Sequence, residues 1–431
     1  MSMKHINCKL LVLMLILSAG ELMAQKQTQT ANDSLAITVA KLTKSIQVLE
    51  RIKISGFIHA QYQKADTLGA KSFNGGDFAD ASSQRFMVRR GYLRFEYLGN
   101  LATYTVLINA NERGVSVLDA YFNIKEPWLK AFSLKGGIFY RPFGYELGYS
   151  RILRESPELS RVTQLLFPGE RDLGASIIFQ MPETSVFHPL KIEGGLFTGN
   201  GINPETDDRL DFIGRIGLAD AIKKTKMNYG IGFSYYNGSV YHAKKEVYQI
   251  ADINGIQAFR QLLADTIPGN YYKRKYSGID GQFSIETSLG KTSFRGEFIK
   301  GHQPGAEKVT ISPVIPIIYN LYLRKFIGST FFLIQTLPKN RHSIVLKYDF
   351  YDPNTEISGD EIGKKATSAK ATNGADIAFT TWGFGWITDF NKNLRLMLYY
   401  DLVKNETSKN LSGYTNDQKD NVFTIRVQYK F

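Results

Sequence analysis

Taken by twos from its C-terminal end, the chain reads Phe431, Tyr429, Val427, Ile425 and Phe423, with Lys430, Gln428, Arg426 and Thr424 between them. Apolar and polar positions alternate, which is the period of a β-strand with one greasy and one wet face. The same alternation opens at Ile52, where Ile52, Ile54, Ile58 and Tyr62 interleave with Lys53, Ser55, His59 and Gln61. It returns over 85–98, 101–110, 115–124, 132–140, 172–180, 190–198, 209–218, 227–236, 276–289, 291–302, 323–337, 341–351, 376–389 and 394–403. With the terminal strand this makes about sixteen segments, an even number of the size that encloses an aqueous lumen.

The connections strengthen that reading. Those after the even-numbered segments are short turns, such as Gly99-Asn100 and Pro338-Lys339-Asn340, whereas most of those after the odd-numbered ones are long, including 63–84, 141–171, 237–275 and 352–375. A membrane barrel with tight turns on one side and longer loops on the other produces this alternation, and a soluble sandwich gives no reason for it. The expected fold class is therefore all-β transmembrane, a single antiparallel β-barrel over residues 52–431. Upstream, Leu35, Val39, Leu42, Ile46 and Leu49 are spaced by four and three, so residues 25–51 are expected to form a short periplasmic helical segment, either a coiled coil that ties subunits together or a single amphipathic helix lying against another surface. Residues 1–24 carry Lys4 and Lys9, an unbroken apolar run from Leu10 to Leu17 and small residues before Ala24, the pattern of a secretory signal peptide cleaved near Ala24.

Charge and composition narrow the function. The formal net charge is +13, and removing Lys4, Lys9 and Glu21 with the signal lowers it by one. The bases are spread along alternating strands instead of massed in one run, so nucleic acid is not an expected partner. The single cysteine, Cys8, falls within the signal, which leaves no thiol for a disulfide, a cysteine-ligated metal or a nucleophile. No histidine pair has metal-ligand spacing, so no metal, cofactor or enzymatic activity is expected. His59, His302 and His342 read as rim or lumen-wall residues, although a Ser/His/acid triad is defined by geometry and stays open.

Alternation also assigns faces. In the second segment Leu93, Phe95 and Tyr97 face lipid, which turns Arg90, Tyr92, Arg94 and Glu96 inward. The same parity turns inward Lys135 and Arg141 in the fifth segment, Arg209 and Arg215 in the eighth, Arg295 in the eleventh, Lys347 in the thirteenth, Arg395 in the fifteenth and Arg426 in the last. A charge facing lipid at mid-depth costs about 2 to 4 kcal/mol, which forces this choice wherever a strand spans the core. The segments at 190–198 and 323–337 are apolar on both faces, and their parity stays open. Inward acids, Glu96, Asp119, Asp211, Glu297 and Asp349, are candidates to pair with these bases. The loop from 141 to 171 carries Arg151, Arg154, Glu155, Glu158, Arg161, Glu170 and Arg171. It either folds back to narrow the lumen or stands outside in solvent.

Seven stretches carry a resemblance: KISGFIHAQYQ (53–63), RFMVRRGYLRFEYLG (85–99), LDAYFNI (118–124), KGGIFYRPFGYE (135–146), ERDLGASIIFQ (170–180), LFTGNGIN (196–203) and the terminal strand. In their order and spacing these resemble the phosphate-selective porin (porin O/P) family of Gram-negative outer membranes. The resemblance implies a trimeric sixteen-stranded channel in outer-membrane lipid, a third loop folded inward, and inward arginines and lysines that pass small anions such as phosphate. The candidate anion path is then Arg90, Arg94, Lys135, Arg141, Arg151, Arg154, Arg161, Arg171, Arg215, Arg295, Arg395 and Arg426. Two alternatives remain: a general or organic-solute porin of the same build, and a barrel enzyme or adhesion protein with a plugged lumen.

Overall fold

The computed structural model describes residues 35, 37–44, 46, 48–73, 75–242, 246–262, 271–313, 320–339 and 341–431. The expected signal, with Cys8, lies outside the described residues. The chain divides into two units, residues 1–53 and 54–431. In the first, the described residues between 35 and 50 are helical and form α1, on which Leu35, Val39, Leu42, Ile46 and Leu49 keep their heptad spacing. No described helix is long and apolar enough to cross a membrane; the second unit is built of strands.

Its strands are β1 (Ile52–Ala65), β2 (Gln84–Leu98), β3 (Ala102–Asn111), β4 (Gly114–Lys125), β5 (Phe132–Tyr140), β6 (Arg171–Gln180), β7 (Leu190–Phe197), β8 (Asp211–Ile222) and β9 (Met227–Tyr241). There follow β10 (Val247–Ile253), β11 (Ile256–Leu262), β12 (Tyr271–Thr287), β13 (Gly290–Gly305), β14 (Leu321–Thr336), β15 (His342–Asp352), β16 (Phe379–Asp389), β17 (Leu394–Asn405) and β18 (Val422–Lys430). Consecutive wall strands pair antiparallel, and β1 pairs with both β2 and β18, so the sheet closes on itself. β9 pairs directly with β12, which leaves β10 and β11 as a hairpin outside the ring; setting those two aside, the eighteen-stranded sheet is a closed sixteen-strand antiparallel barrel.

That hairpin lies within the stretch expected to be one long loop from 237 to 275, and β12 starts at Tyr271 instead of 276. The signal for it is local: Asn254-Gly255, both at positive φ, is the two-residue turn that matches strand twist. β10 then lies parallel to the start of β14, with Val247 opposite Leu321 and Gln249 opposite Leu323.

Parity behaves as a two-faced wall requires. Ile58, Phe95, Tyr97, Phe122, Ile177, Phe233, Ile279, Phe294, Phe331, Phe384 and Tyr429 are exposed on the outside, while their strand neighbours point into the lumen. A slip of one residue in any pairing would exchange the two sets, so the lipid belt and the wet lining together fix the register. The structure also settles the two open segments. On β7, Lys191 and Glu193 point inward with Ile192 and Leu196 outward; on β14, Phe326, Phe332 and Ile334 point inward with Phe331 and Leu333 outward.

Candidate functional site

Between β5 and β6 the chain does not stay outside. Residues 141–170 enter the lumen, driven by apolar side chains that an outer loop has no reason to carry. Phe143, Leu147, Val162, Leu165, Leu166 and Phe167 are buried against the inward faces of Phe139, Phe197, Ile213, Tyr236, Tyr276, Ile299 and Phe326. Burying each such side chain is worth roughly 1.5–3 kcal/mol, which offsets the cost of ordering a long loop.

Polar anchors fix where the loop sits. The Gly144 N–H donates to Ser234 Oγ at 2.8 Å, and the N–H groups of Tyr145 and Glu146 donate to Glu297 Oε2 at 3.0 and 2.9 Å. Gly144 has φ +64°, and a Cβ there would stand 1.9 Å from Glu297 Oε1, so only glycine makes this approach. The loop carries a short helix, α2 (Arg161–Leu166), with Ser160 as its N-cap. The Glu146 carboxylate accepts from the Ser160 N–H at 2.8 Å and from Thr163 Oγ1 at 2.7 Å. The Arg161 N–H donates to Asp349 on β15 at 2.9 Å. Val162 lies directly against Gly328 of β14, where a Cβ would come within 2.5 Å of Val162 Cγ2.

The loop reaches the far wall at Glu158. Three guanidiniums converge on its carboxylate: Arg89 Nε at 2.7 Å, Arg90 Nη2 at 2.7 Å and Arg426 Nη2 at 3.0 Å. Burial opposes the charged form, yet Arg89, Arg90 and Arg426 together hold Glu158 well below the usual carboxylate range. Arg426 also donates to the Pro157 carbonyl at 2.6 Å, and Gln428 and Arg395 donate to that of Ile152 at 3.2 and 3.3 Å. Nearer the loop's return, Arg151 bonds Glu170 and Tyr92, and Arg171 Nε meets Asp119 at 2.8 Å. Glu170 is again disfavoured by burial but brought down to about 2 by Arg151, Arg154 and Arg171. Arg154 is buried and donates to the Tyr149 carbonyl at 3.4 Å. Its Nε and Nη1, and both Nη atoms of Arg171, have no hydrogen-bond acceptor among the described residues.

The sequence-derived residues therefore separate into groups. Arg90, Arg151, Arg154, Arg171 and Arg426 gather where the loop meets β1, β2, β6 and β18. Arg94 is partly exposed to the lumen and pairs with Glu96 at 2.8 Å. Lys135 and Arg215 border a cavity of about 360 Å³ under the loop, with Lys191, Glu193 and the loop's own Arg141. There Lys135 lies 3.5 Å from Glu193, while Arg215 meets Asp280 at 2.6 Å and Arg141 meets Asp172 at 2.9 Å. Arg295 holds Glu155 at 2.6 Å, Arg395 holds Asp389 at 2.7 Å and Lys347 holds Asp349 at 3.1 Å. Arg161 stands apart, its guanidinium sandwiched 4.2 Å from the Phe73 ring and 3.7 Å from that of Phe379. Arg209 is a correction. It precedes β8, is exposed, and stacks 3.8 Å from the Tyr271 ring instead of lining the lumen, because the strand starts only at Asp211.

Several inward bases among the described residues escaped the alternation argument. Arg89 follows a break in the parity of β2: Arg85 bonds Gln63 across the lumen face, as Arg90 bonds Glu158, although the two differ in parity, so both members of Arg89-Arg90 reach inside. The adjacent arginine pair in a strand is the sequence signal for that irregularity. Lys191 and Arg324 sit on the two segments whose parity was open. Arg274, paired with Asp211, precedes the expected start of β12.

The chain therefore forms a closed sixteen-strand antiparallel barrel with an apolar exterior and a lumen crossed by its loop between β5 and β6. No family model and no curated protein matches the chain. Solved structures do. The chain is similar to OprB of Pseudomonas putida, with a TM-score of 0.54 and 9% identity over 90% of this chain and 96% of that one. It is similar to OmpF of Salmonella typhi, solved with daunomycin, with a TM-score of 0.51 and 10% identity over 88% and 97%. The outer-membrane channel DcaP of Acinetobacter baumannii gives a TM-score of 0.50 and 11% identity over 88% and 97%.

Proposed function

We propose that this protein is a passive diffusion channel that prefers anions, with phosphate as the leading solute, working as a homotrimer after loss of residues 1–24. One observation carries the reading. At the narrowing made by the loop, three guanidiniums share the single carboxylate of Glu158, and Arg151, Arg154 and Arg171 add to that side with N–H groups that no acceptor among the described residues uses. Below it, Lys135, Lys191 and Arg215 offer a further basic station beside Glu193. A solute anion exchanges part of its hydration for successive charge-assisted bonds, each deep enough to enter and shallow enough to leave. No energy source and no covalent step is involved.

Planar-bilayer recording tests this. In a salt gradient the reversal potential should take the sign of anion permeation, and added phosphate should reduce the chloride current. A reversal potential near zero, with no phosphate block, supports the second reading instead. That reading, a general porin without marked anion selectivity, is favoured by the acids Asp280, Glu155, Asp349 and Asp389, which neutralise Arg215, Arg295, Lys347 and Arg395.

A further inference from the structure

On the outward face, at the end from which the long loops leave, β12, β13 and β14 hold a group of bases that take no part in the lumen. Parity places them there. Ile279, Phe283, Phe294 and Phe331 are exposed to lipid, and Lys273, Lys275, Lys300, His302 and Lys325 share that face. Register sets three of them side by side, Lys275 opposite His302 and His302 opposite Lys325. At about 4.8 Å per strand, the two lysines that end this row stand roughly 10 Å apart. The row borders a cavity of about 630 Å³ closed on its other side by the β10 hairpin at Gln249 and by Tyr271.

Bases in neighbouring strands repel one another, and charge at a lipid boundary is costly, so this grouping calls for an anion. Among the described residues, the protein supplies little. Glu356 reaches Lys325 at 2.8 Å, and Asp352 lies one strand further on, opposite Ile327. Elsewhere on the outer rim the outward lysines stand singly, Lys64 opposite Phe423 and Lys404 opposite Thr380.

We propose that this pocket holds the phosphorylated headgroup of a glycolipid of the outer leaflet. The bases contact the phosphates, and the acyl chains lie along Ile279, Phe298 and Ile327, which follow the row on the same face toward the periplasm. Lysine ammoniums act as point charges that donate to phosphate oxygens in many directions, as a fluid leaflet requires. The apolar surface adjoining the row is what selects a lipid over a free anion. The inference is independent of which solute crosses the lumen.

The test uses the full protein in detergent, with native mass spectrometry against a bisphosphorylated glucosamine glycolipid and its dephosphorylated analogue. The native chain should retain the phosphorylated lipid. The triple variant Lys273→Gln, Lys275→Gln, Lys325→Gln should weaken retention about tenfold or more, with single-channel conductance unchanged as proof of an intact barrel. Glu356→Gln should tighten retention, and it remains decisive if the triple variant fails to insert. Equal retention by a conducting triple variant, equal retention of the dephosphorylated analogue, no gain in Glu356→Gln, or displacement by millimolar inorganic phosphate would each overturn the proposal, the last by making the pocket a soluble-anion site.

Discussion

Glu158 is the residue on which the far end of the loop depends. Its carboxylate is the one acid between Arg89, Arg90 and Arg426, and removing one partner of a buried ion pair costs about 3–5 kcal/mol because the remaining charges stay buried. Glu158→Gln should therefore release the loop tip, seen as faster hydrogen exchange over residues 150–160, and should shift the reversal potential in the direction of anion permeation. Unchanged exchange would mean that the apolar packing alone holds the loop. Glu170 gives a pH prediction. Its folded-state value of about 2 lies below the roughly 4.3 of a free glutamate, so its contribution is present above the higher value and is lost as pH falls through the lower one. Loop protection around Arg151 and Arg154 should stay level from pH 7 to about 4.5 and decline only below that. The inward aim of Arg90, Arg94 and Arg426 was legible from alternation alone. The meeting of Arg426 with Glu158 was not, since the two are 268 residues apart and nothing local encodes the contact.

At the scale of elements, the loop is a narrowing segment held by apolar side chains at its entry and its return and by charge at its tip. Gly144→Ala needs a positive φ that alanine resists and drives its Cβ into Glu297, so it should lift the loop's entry from the wall. The expected reading is a larger single-channel conductance, with strand content by circular dichroism unchanged. Phe167→Ala removes a fully buried ring from the same packing and should destabilise loop docking by about 3–5 kcal/mol, measurable as protease cleavage near 160–170. The inward fold was written in the loop's Val162, Leu165, Leu166 and Phe167, a run that a solvated loop would not keep, but its charged residues were more conspicuous. The β10–β11 hairpin was legible in the same way from Asn254-Gly255. By contrast, the lining of β7 and β14 was not, because both faces of those strands are apolar in sequence and only the neighbouring strands decide which face is wet.

For the whole molecule, sixteen strands with alternating turn lengths were readable because the barrel repeats one two-residue rule all the way round. Closure itself adds one constraint that no single strand reveals. β1 and β18 are joined from Phe57 opposite Lys430 to Ala65 opposite Val422, with His59 bonded to Gln428 at 2.7 Å. Deleting residues 422–431 should therefore abolish the heat-modifiable, compact electrophoretic form, while a deletion of equal length within the loop 406–421 should spare it. The first wall strand to leave the ribosome must wait for the last before it finds its neighbour, and until then both borders of the sheet present raw backbone to anything that will pair with them. Such a polypeptide cannot mature piecemeal during its synthesis. Its wall is zipped shut in a single late event, once the final strand is at hand.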